Sequence, residues 1–260
     1  MIDAHAHISN SDYGNVGIYL QQLKAGIDQG ITVPGGMVDV RKMTDYITGR
    51  SKPENPVPDN AYVLRSVKAD PANLRGFICV DPHAGGALQT LEQGLRDGFQ
   101  GLKFSPLTHQ FSFASRAVQD LVSFCESCGF PVYTHTLYSP GASTSKLIAL
   151  AKQFPKVNFI LGHMGFGPAD QEGLKAAVAL DNFFLETSTG SYLHIKQAVK
   201  RAGAGKIIFG SEFPLSHPKA ELEKILLLGL KGDETDKILG ENIQALLPSG
   251  RGRTEKNESG

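Results

Sequence analysis

Short apolar, β-rich runs alternate with longer stretches of helical period from one end of the chain to the other. Runs at residues 2–7, 31–39, 75–80, 98–104, 131–136, 157–162, 183–188 and 206–211 predict eight strands. Between them, apolar positions three and four apart predict helices over 15–28, where Val16, Leu20, Leu23 and Ile27 share one side, and over 59–69, 84–97, 114–128, 143–153, 168–180 and 191–202. Asp59 is a candidate N-cap, and Gly30, Gly98, Gly129 and Gly203 stand where helices prefer to stop. Strand and helix recur with no break in composition, which predicts an α/β fold of the closed (β/α)8 TIM-barrel type, whose usual size is about 250 residues. A doubly wound open sheet is the competing architecture. It would carry a glycine-rich phosphate turn after its first strand, and that turn here reads His7-Ile8-Ser9-Asn10.

Beyond the eighth run, residues 218–230 and 233–247 predict two extra C-terminal helices on the outside of the barrel. The chain therefore divides into one domain over 1–247 and a tail over 248–260, which has no apolar residue from Ser249 on and is expected to be disordered. One connection is out of proportion. Residues 41–58 hold three prolines and no sustained period, and structureless loops of that length are usually functional or mobile. In a barrel this loop leaves the second strand at the catalytic rim, where Arg41 or Arg50 could hold an anionic substrate.

Lys+Arg and Asp+Glu number 26 each, so no overall field draws the chain to nucleic acid or an anionic membrane. No apolar run approaches a membrane span, and Asp3, His5 and His7 stand where a signal peptide needs a basic start and an apolar centre. With three cysteines, too few and too odd for a disulfide framework, the expectation is a cytoplasmic protein. Its partner is a small molecule, and a homodimer is expected only because two-fold association is common.

The chemistry begins at the first strand. His5 and His7, two apart, lie on one strand face and can both reach a single ion. Barrel active sites form at the C-terminal ends of strands, and later ends add Lys103, His135, His163 and Glu212. Four histidines and a carboxylate at equivalent positions suit one catalytic divalent ion, zinc or manganese, with an open coordination position.

At these residues the sequence resembles the amidohydrolase superfamily, in its amidohydrolase-2 branch of metal-dependent hydrolases and decarboxylases. The resemblance rests on Asp3-Ala4-His5-Ala6-His7, Gly101-Leu102-Lys103, Thr134-His135, Gly162-His163-Met164-Gly165, Gly210-Ser211-Glu212-Phe213-Pro214 and Lys237-Ile238-Leu239-Gly240-Glu241-Asn242. It implies that His5, His7 and His135 bind the metal, that the strand-eight carboxylate binds it or handles protons beside it, and that His163 orients substrate or the attacking water. The branch usually has aspartate where this chain has Glu212, one methylene longer. A strand-four lysine is carbamylated between two metals in binuclear members. In the branch resembled it stays an ammonium, so one metal is expected, with Lys103 contacting substrate or a carboxylate.

Two reactions fit such a site: hydrolysis of a small, anionic amide, ester or lactone by a metal-activated water, and decarboxylation of an aromatic or unsaturated acid. A metal-free acid–base cyclase or isomerase is the third. His83, after the third strand, is a further candidate at the pocket mouth. His109, His194 and His217 lie near the same rim, and Glu186, Thr187 and Ser188 end strand seven. Cys125 and Cys128 have the C-x-x-C spacing but fall late in a helical pattern, where packing is expected.

Overall fold

Parallel strands succeed one another around a single barrel in a computed structural model that describes residues 1–248. The strands are β1 (Ile2–Ile8), β2 (Gln29–Pro34), β3 (Leu74–Gly76), β4 (Ile78–Cys79), β5 (Leu102–Phe104), β6 (Val132–Thr134), β7 (Phe159–Leu161), β8 (Phe183–Glu186) and β9 (Ile207–Ile208). They pair in the orders β1-β2-β3 and β4 to β9, every pair parallel. β3 and β4 together fill the third barrel position. Phe77 interrupts them, yet its N–H still donates to Thr32 O at 3.0 Å. The ring closes where Ala4 N donates to Phe209 O and His7 N to Phe213 O, at 3.0 and 2.7 Å.

The helices are α1 (Val16–Leu23), α2 (Met43–Ile47), α3 (Asn60–Ala69), α4 (Ala87–Asp97), α5 (Pro106–His109), α6 (Arg116–Cys128), α7 (Thr144–Gln153), α8 (Gln171–Ala179) and α9 (Tyr192–Ala202), of which the short α2 and α5 border a cavity. Asp59, Ser115, Ser143, Asp170 and Ser191 cap α3, α6, α7, α8 and α9 with their side-chain oxygens. Gly98, Gly129 and Gly203 follow the helix ends as expected, each with positive φ. Gly30 does not. α1 stops at Leu23, and Gly30 lies inside β2, where any Cβ would collide with the Tyr19 ring.

Three further expectations are corrected. The second strand ends at Pro34 rather than 39: Gly35 N makes the last ladder bond to β1, to Ile8 O, and Gly36 then takes positive φ and breaks the extended run. The long connection is not structureless: Val40–Lys42 forms a 3-10 turn leading into α2. The C-terminal segment after α10 (Pro218–Leu226) runs as α11 (Gly232–Asp236), a π-helical Lys237–Glu241 and α12 (Asn242–Leu246). Its Ile243, Leu246 and Leu247 join the inner cluster of Ile2, Ala4, Ile31, Phe77 and Ile208, so this end plugs the barrel instead of lying only on its flank. The expected tail, apart from Pro248, lies outside the described residues.

Strand side chains alternate between that inner cluster and a larger outer one that meets the helices. Ile160, Phe184 and Ile208 point in, while Phe159, Leu161, Phe183, Leu185 and Ile207 point out. β1 breaks this rule. Its register against β2 shifts between Asp3 and Ala6, and the parity of the inward residues changes there: Ile2 and Ala4 belong to the inner cluster, Ala6 and Ile8 to the outer. The bulge turns His5 and His7 into the barrel.

Candidate metal centre

His5, His135, His163 and Glu212 each offer a donor atom, and these atoms all lie within 4.8 Å of one another. β1 delivers His5 directly, and His135 follows β6 at the next inward position after Tyr133. His163 and Glu212 both have positive φ, 60° and 58°, just past their strands. Non-glycine residues seldom adopt that conformation, and it is held here by local hydrogen bonds: Glu212 N donates to His5 O at 2.8 Å, and His163 N to Glu186 Oε2 at 3.3 Å. Gly162 and Gly210 leave room at the inner face, since a Cβ at the first would strike Tyr133 and at the second Glu186.

The hydrogen bonds fix which ring nitrogens carry lone pairs. His163 Nδ1 lies 3.1 Å from Ser188 O, an acceptor only, so Nδ1 carries the proton and Nε2 is free; Nε2 faces Glu212 Oε2 at 3.8 Å. By the same argument His7 Nδ1 donates to Pro34 O at 3.1 Å, which leaves Nε2 toward Glu212 Oε1 at 3.5 Å. His7 stands beside the four-residue cluster rather than in it. His5 Nδ1 is 2.6 Å from Glu212 Oε2, but the pair is not aligned as a hydrogen bond, and Oε2 has no hydrogen-bond partner among the described residues. A buried carboxylate oxygen without a donor, crowded by imidazole nitrogens, is what a cation would satisfy. The donor set fits a divalent ion.

Lys103 lies beneath, fully buried. Its Nζ donates to His5 Nε2 at 3.1 Å and to His135 Nε2 at 2.9 Å, and sits 4.2 Å from the Tyr133 ring centroid. Burial pushes the ammonium down to about 8, against the upward pull of Glu212, Cys79 and Glu186. Burial, together with the Lys103 charge, also holds His5 and His135 well below the usual histidine value, so both rings are neutral, as ligation requires. For Glu212 burial works upward, but His5, His7 and His163 outweigh it and keep the carboxyl well below the usual carboxylate range.

A second carboxylate, Glu186, supports the first ring of residues. It accepts from Tyr133 OH at 2.6 Å, Ser188 N at 2.5 Å and Ser188 Oγ at 2.8 Å, and burial raises its pKa. Tyr133 OH also lies 2.6 Å from His5 Nδ1. Sequence reasoning gave Tyr133 no role. The signal was its place two residues before His135 on one strand, hence on the same inward face.

The cluster forms the floor of a cavity of about 460 Å³, lined by His7, His135, His163 and Glu212 below and by Met37, Val40, Met43, Leu107, Leu137 and Phe166 among its walls. Arg41, Arg50 and His83 are not brought to it. Arg41 pairs with Asp39 at 2.9 Å and Arg50 with Asp45 at 3.0 Å, both on the surface, and His83 is exposed. The other histidines have structural surroundings: His109 Nε2 donates to Pro56 O at 2.9 Å, His194 is buried in α9, and His217 caps α10. Cys125 is buried in α6, and Cys128 Sγ approaches its carbonyl at 3.7 Å, a helix-packing pair.

The model of the amidohydrolase family Amidohydro_2 matches residues 2–248. No curated protein matches the chain in sequence. Among solved structures, an uncharacterized TIM-barrel protein from Bordetella bronchiseptica aligns with a TM-score of 0.75 at 18% identity, over 95% of this chain and 97% of that one. Dihydroxybenzoic acid decarboxylase from Polaromonas sp. JS666, with bound manganese and the inhibitor 2-nitroresorcinol, aligns at 0.68 and 16%, over 94% and 96%. A probable 2-pyrone-4,6-dicarboxylic acid hydrolase from Acinetobacter baumannii, with citric acid bound, aligns at 0.69 and 16%, over 94% and 98%. At these identities the likeness is one of fold. No helix among the described residues is long and apolar enough to cross a membrane.

Proposed function

The chain belongs to the amidohydrolase family, and on that premise we propose that it is a metal-dependent hydrolase opening a small amide, ester or lactone. His5, His135 and Glu212 would hold one zinc or manganese ion, and His7, whose Nε2 faces Glu212 Oε1 at 3.5 Å, would join them from beside the cluster. When bound, such an ion lowers the pKa of water from about 15.7 to ~7 and polarises a carbonyl oxygen. The chain's own residues do the rest. His163 Nε2, kept free by the hydrogen bond of Nδ1 to Ser188 O, takes the proton of the attacking water and returns it to the leaving group. Glu212 carries the negative charge that balances the ion. Lys103 Nζ donates to the Nε2 lone pairs of His5 and His135, so to hold the ion through Nε2 these two rings would take those lone pairs back from Lys103.

The observation that carries this reading is Glu212 Oε2, buried and without a hydrogen-bond partner, among three imidazoles on the floor of a cavity. The test is elemental analysis of protein purified without added metal, followed by a screen of lactones, esters and carboxylated phenols with carbon dioxide monitored. About one equivalent of divalent ion and a new carboxylate without carbon dioxide are expected. Protein that holds no ion and turns over regardless would overturn the reading in favour of acid–base chemistry by the histidines. Carbon dioxide release would select the second reading, decarboxylation. That reading is favoured by the gathering of the His7, His135 and His163 imidazoles in the cavity lining, where an acid would enter carboxylate first.

A further inference from the structure

We propose that the substrate has one polar head and an apolar body, aryl or branched alkyl, with no second anionic group. This deepens the reading of the cavity as the active site and rests on it. The segment 37–47, which leaves β2 and enters α2, is two-sided. Met37, Val38, Val40, Met43 and Ile47 line the cavity, while the charged residues of the same stretch are absent from the lining and are paired, one with another inside the stretch and two with residues that follow it. Both guanidinium contacts of Arg41 to Asp39 are 2.9 Å, Lys42 reaches Glu54 at 3.6 Å, and Arg50 reaches Asp45 at 3.0 Å. Leu107, Leu137, Phe166, Pro168 and Leu215 continue the apolar wall. Among the described residues no lysine or arginine side chain lines the cavity. Lys103 is the nearest buried cation, and it lies under the floor, already donating to two imidazoles.

A carboxylate at the head end therefore meets imidazoles and whatever ion they hold, but a second one at the far end meets methionine, valine, leucine and phenylalanine. Ser9, Tyr13, Ser105, Thr108, Thr136 and Thr189 also line the cavity, but they are neutral, so an ionised group placed against this wall loses hydration and gains no charged partner. The pattern selects by exclusion: a diacid is penalised and a monoacid or neutral carbonyl compound with the same ring is not. An apolar wall with a few polar groups at one end is also the usual make-up of a small-molecule pocket.

The test is a binding measurement, isothermal titration of the metal-analysed protein with 2-naphthoate and with naphthalene-2,6-dicarboxylate. The two differ only in the second carboxylate. The monoacid is expected to bind about ten-fold more tightly or better, a difference of about 1.4 kcal/mol. Met43→Arg, which places a cation in the wall, should narrow or reverse that ratio; if this variant does not fold by circular dichroism, Val40→Arg makes the same test. Equal affinities, tighter binding of the diacid, binding of neither probe, or an unchanged ratio in a folded arginine variant would overturn the proposal. The catalytic reading fails separately, through metal content and turnover, neither of which enters this comparison.

Discussion

Asp3 accepts hydrogen bonds from both the backbone N–H and the hydroxyl of Ser211, at 2.8 and 2.5 Å, so one buried carboxylate clasps the first strand of the barrel to the last. Tyr19 OH and His5 N donate to the same group at 2.8 and 3.1 Å. The clasp holds β1 in the bulged register that aims His5 and His7 inward, and it joins them to the segment that carries Glu212.

Burial nevertheless pushes Asp3 up to about 7 from its ordinary 3.8, against those donors. Between these values the folded chain keeps a proton that the unfolded chain has released. The contribution of Asp3 to stability is therefore full below pH 3.8 and is lost as pH rises through 7. Asp3→Asn removes the titration and should destabilise the protein by about 1–3 kcal/mol, because the amide brings two hydrogens, where the protonated carboxyl brings one, among groups that already donate. Urea unfolding at pH 5, 6 and 7 should show the gap between wild type and variant closing as pH rises, by at most about 1.4 kcal/mol per unit. A gap that stays constant would show that Asp3 is ionised throughout.

His135→Ala should reduce the metal content well below one equivalent and abolish turnover. It removes one of the rings whose nitrogens converge on Glu212 and also leaves Lys103 with His5 Nε2 as its remaining hydrogen-bond partner. Mass-spectrometric metal analysis with far-ultraviolet circular dichroism checks this. A folded variant with unchanged metal would show that His135 is not a ligand.

The barrel was legible because alternation of period two and period 3.6 is a local property that survives in any single sequence; the eight strand positions all appear where that alternation put them. The strand-end histidines were legible for the same reason, since the fold decides which end carries chemistry. Other features depended on long-range contacts. Gly30 reads as a helix stop until Tyr19 is seen packed on it. Arg41 and Arg50 read as substrate clamps, but which side of the 37–47 segment faces the cavity is set by the apolar wall it completes. Tyr133 sat unremarked among β-formers, and Glu186 stood out only as a strand end without a named partner, because nothing local marks a hydroxyl and a carboxylate 53 residues apart as hydrogen-bond partners.

Glu212→Asp should retain the charge but lose reach. The glutamate backbone is fixed by its N–H to His5 O, at positive φ, so a side chain shorter by one methylene draws its carboxylate away from the imidazoles. Metal affinity should fall by at least the roughly 10–100-fold that loss of a ligand's hydrogen-bond partner costs, and Glu212→Gln should fall further because the charge is lost as well. Competition with a fluorescent zinc chelator measures both. Equal affinity in wild type and both variants would place Glu212 outside the ligand set.

Tyr133→Phe separates the two carboxylates in the site. The hydroxyl donates to Glu186 Oε2 and approaches His5 Nδ1, both at 2.6 Å. Its loss leaves Glu186 with Ser188 and the His163 amide, and leaves His5 Nδ1 with Glu212. A buried acceptor deprived of one donor costs about 1–3 kcal/mol, so urea unfolding should report a loss in that range. Because the hydroxyl fixes the His5 ring and does not line the cavity, kcat should fall with KM unchanged once a substrate is in hand. A variant that loses stability but keeps wild-type kcat and metal content would assign Tyr133 to the fold alone, and would leave the orientation of His5 to Lys103 and Glu212.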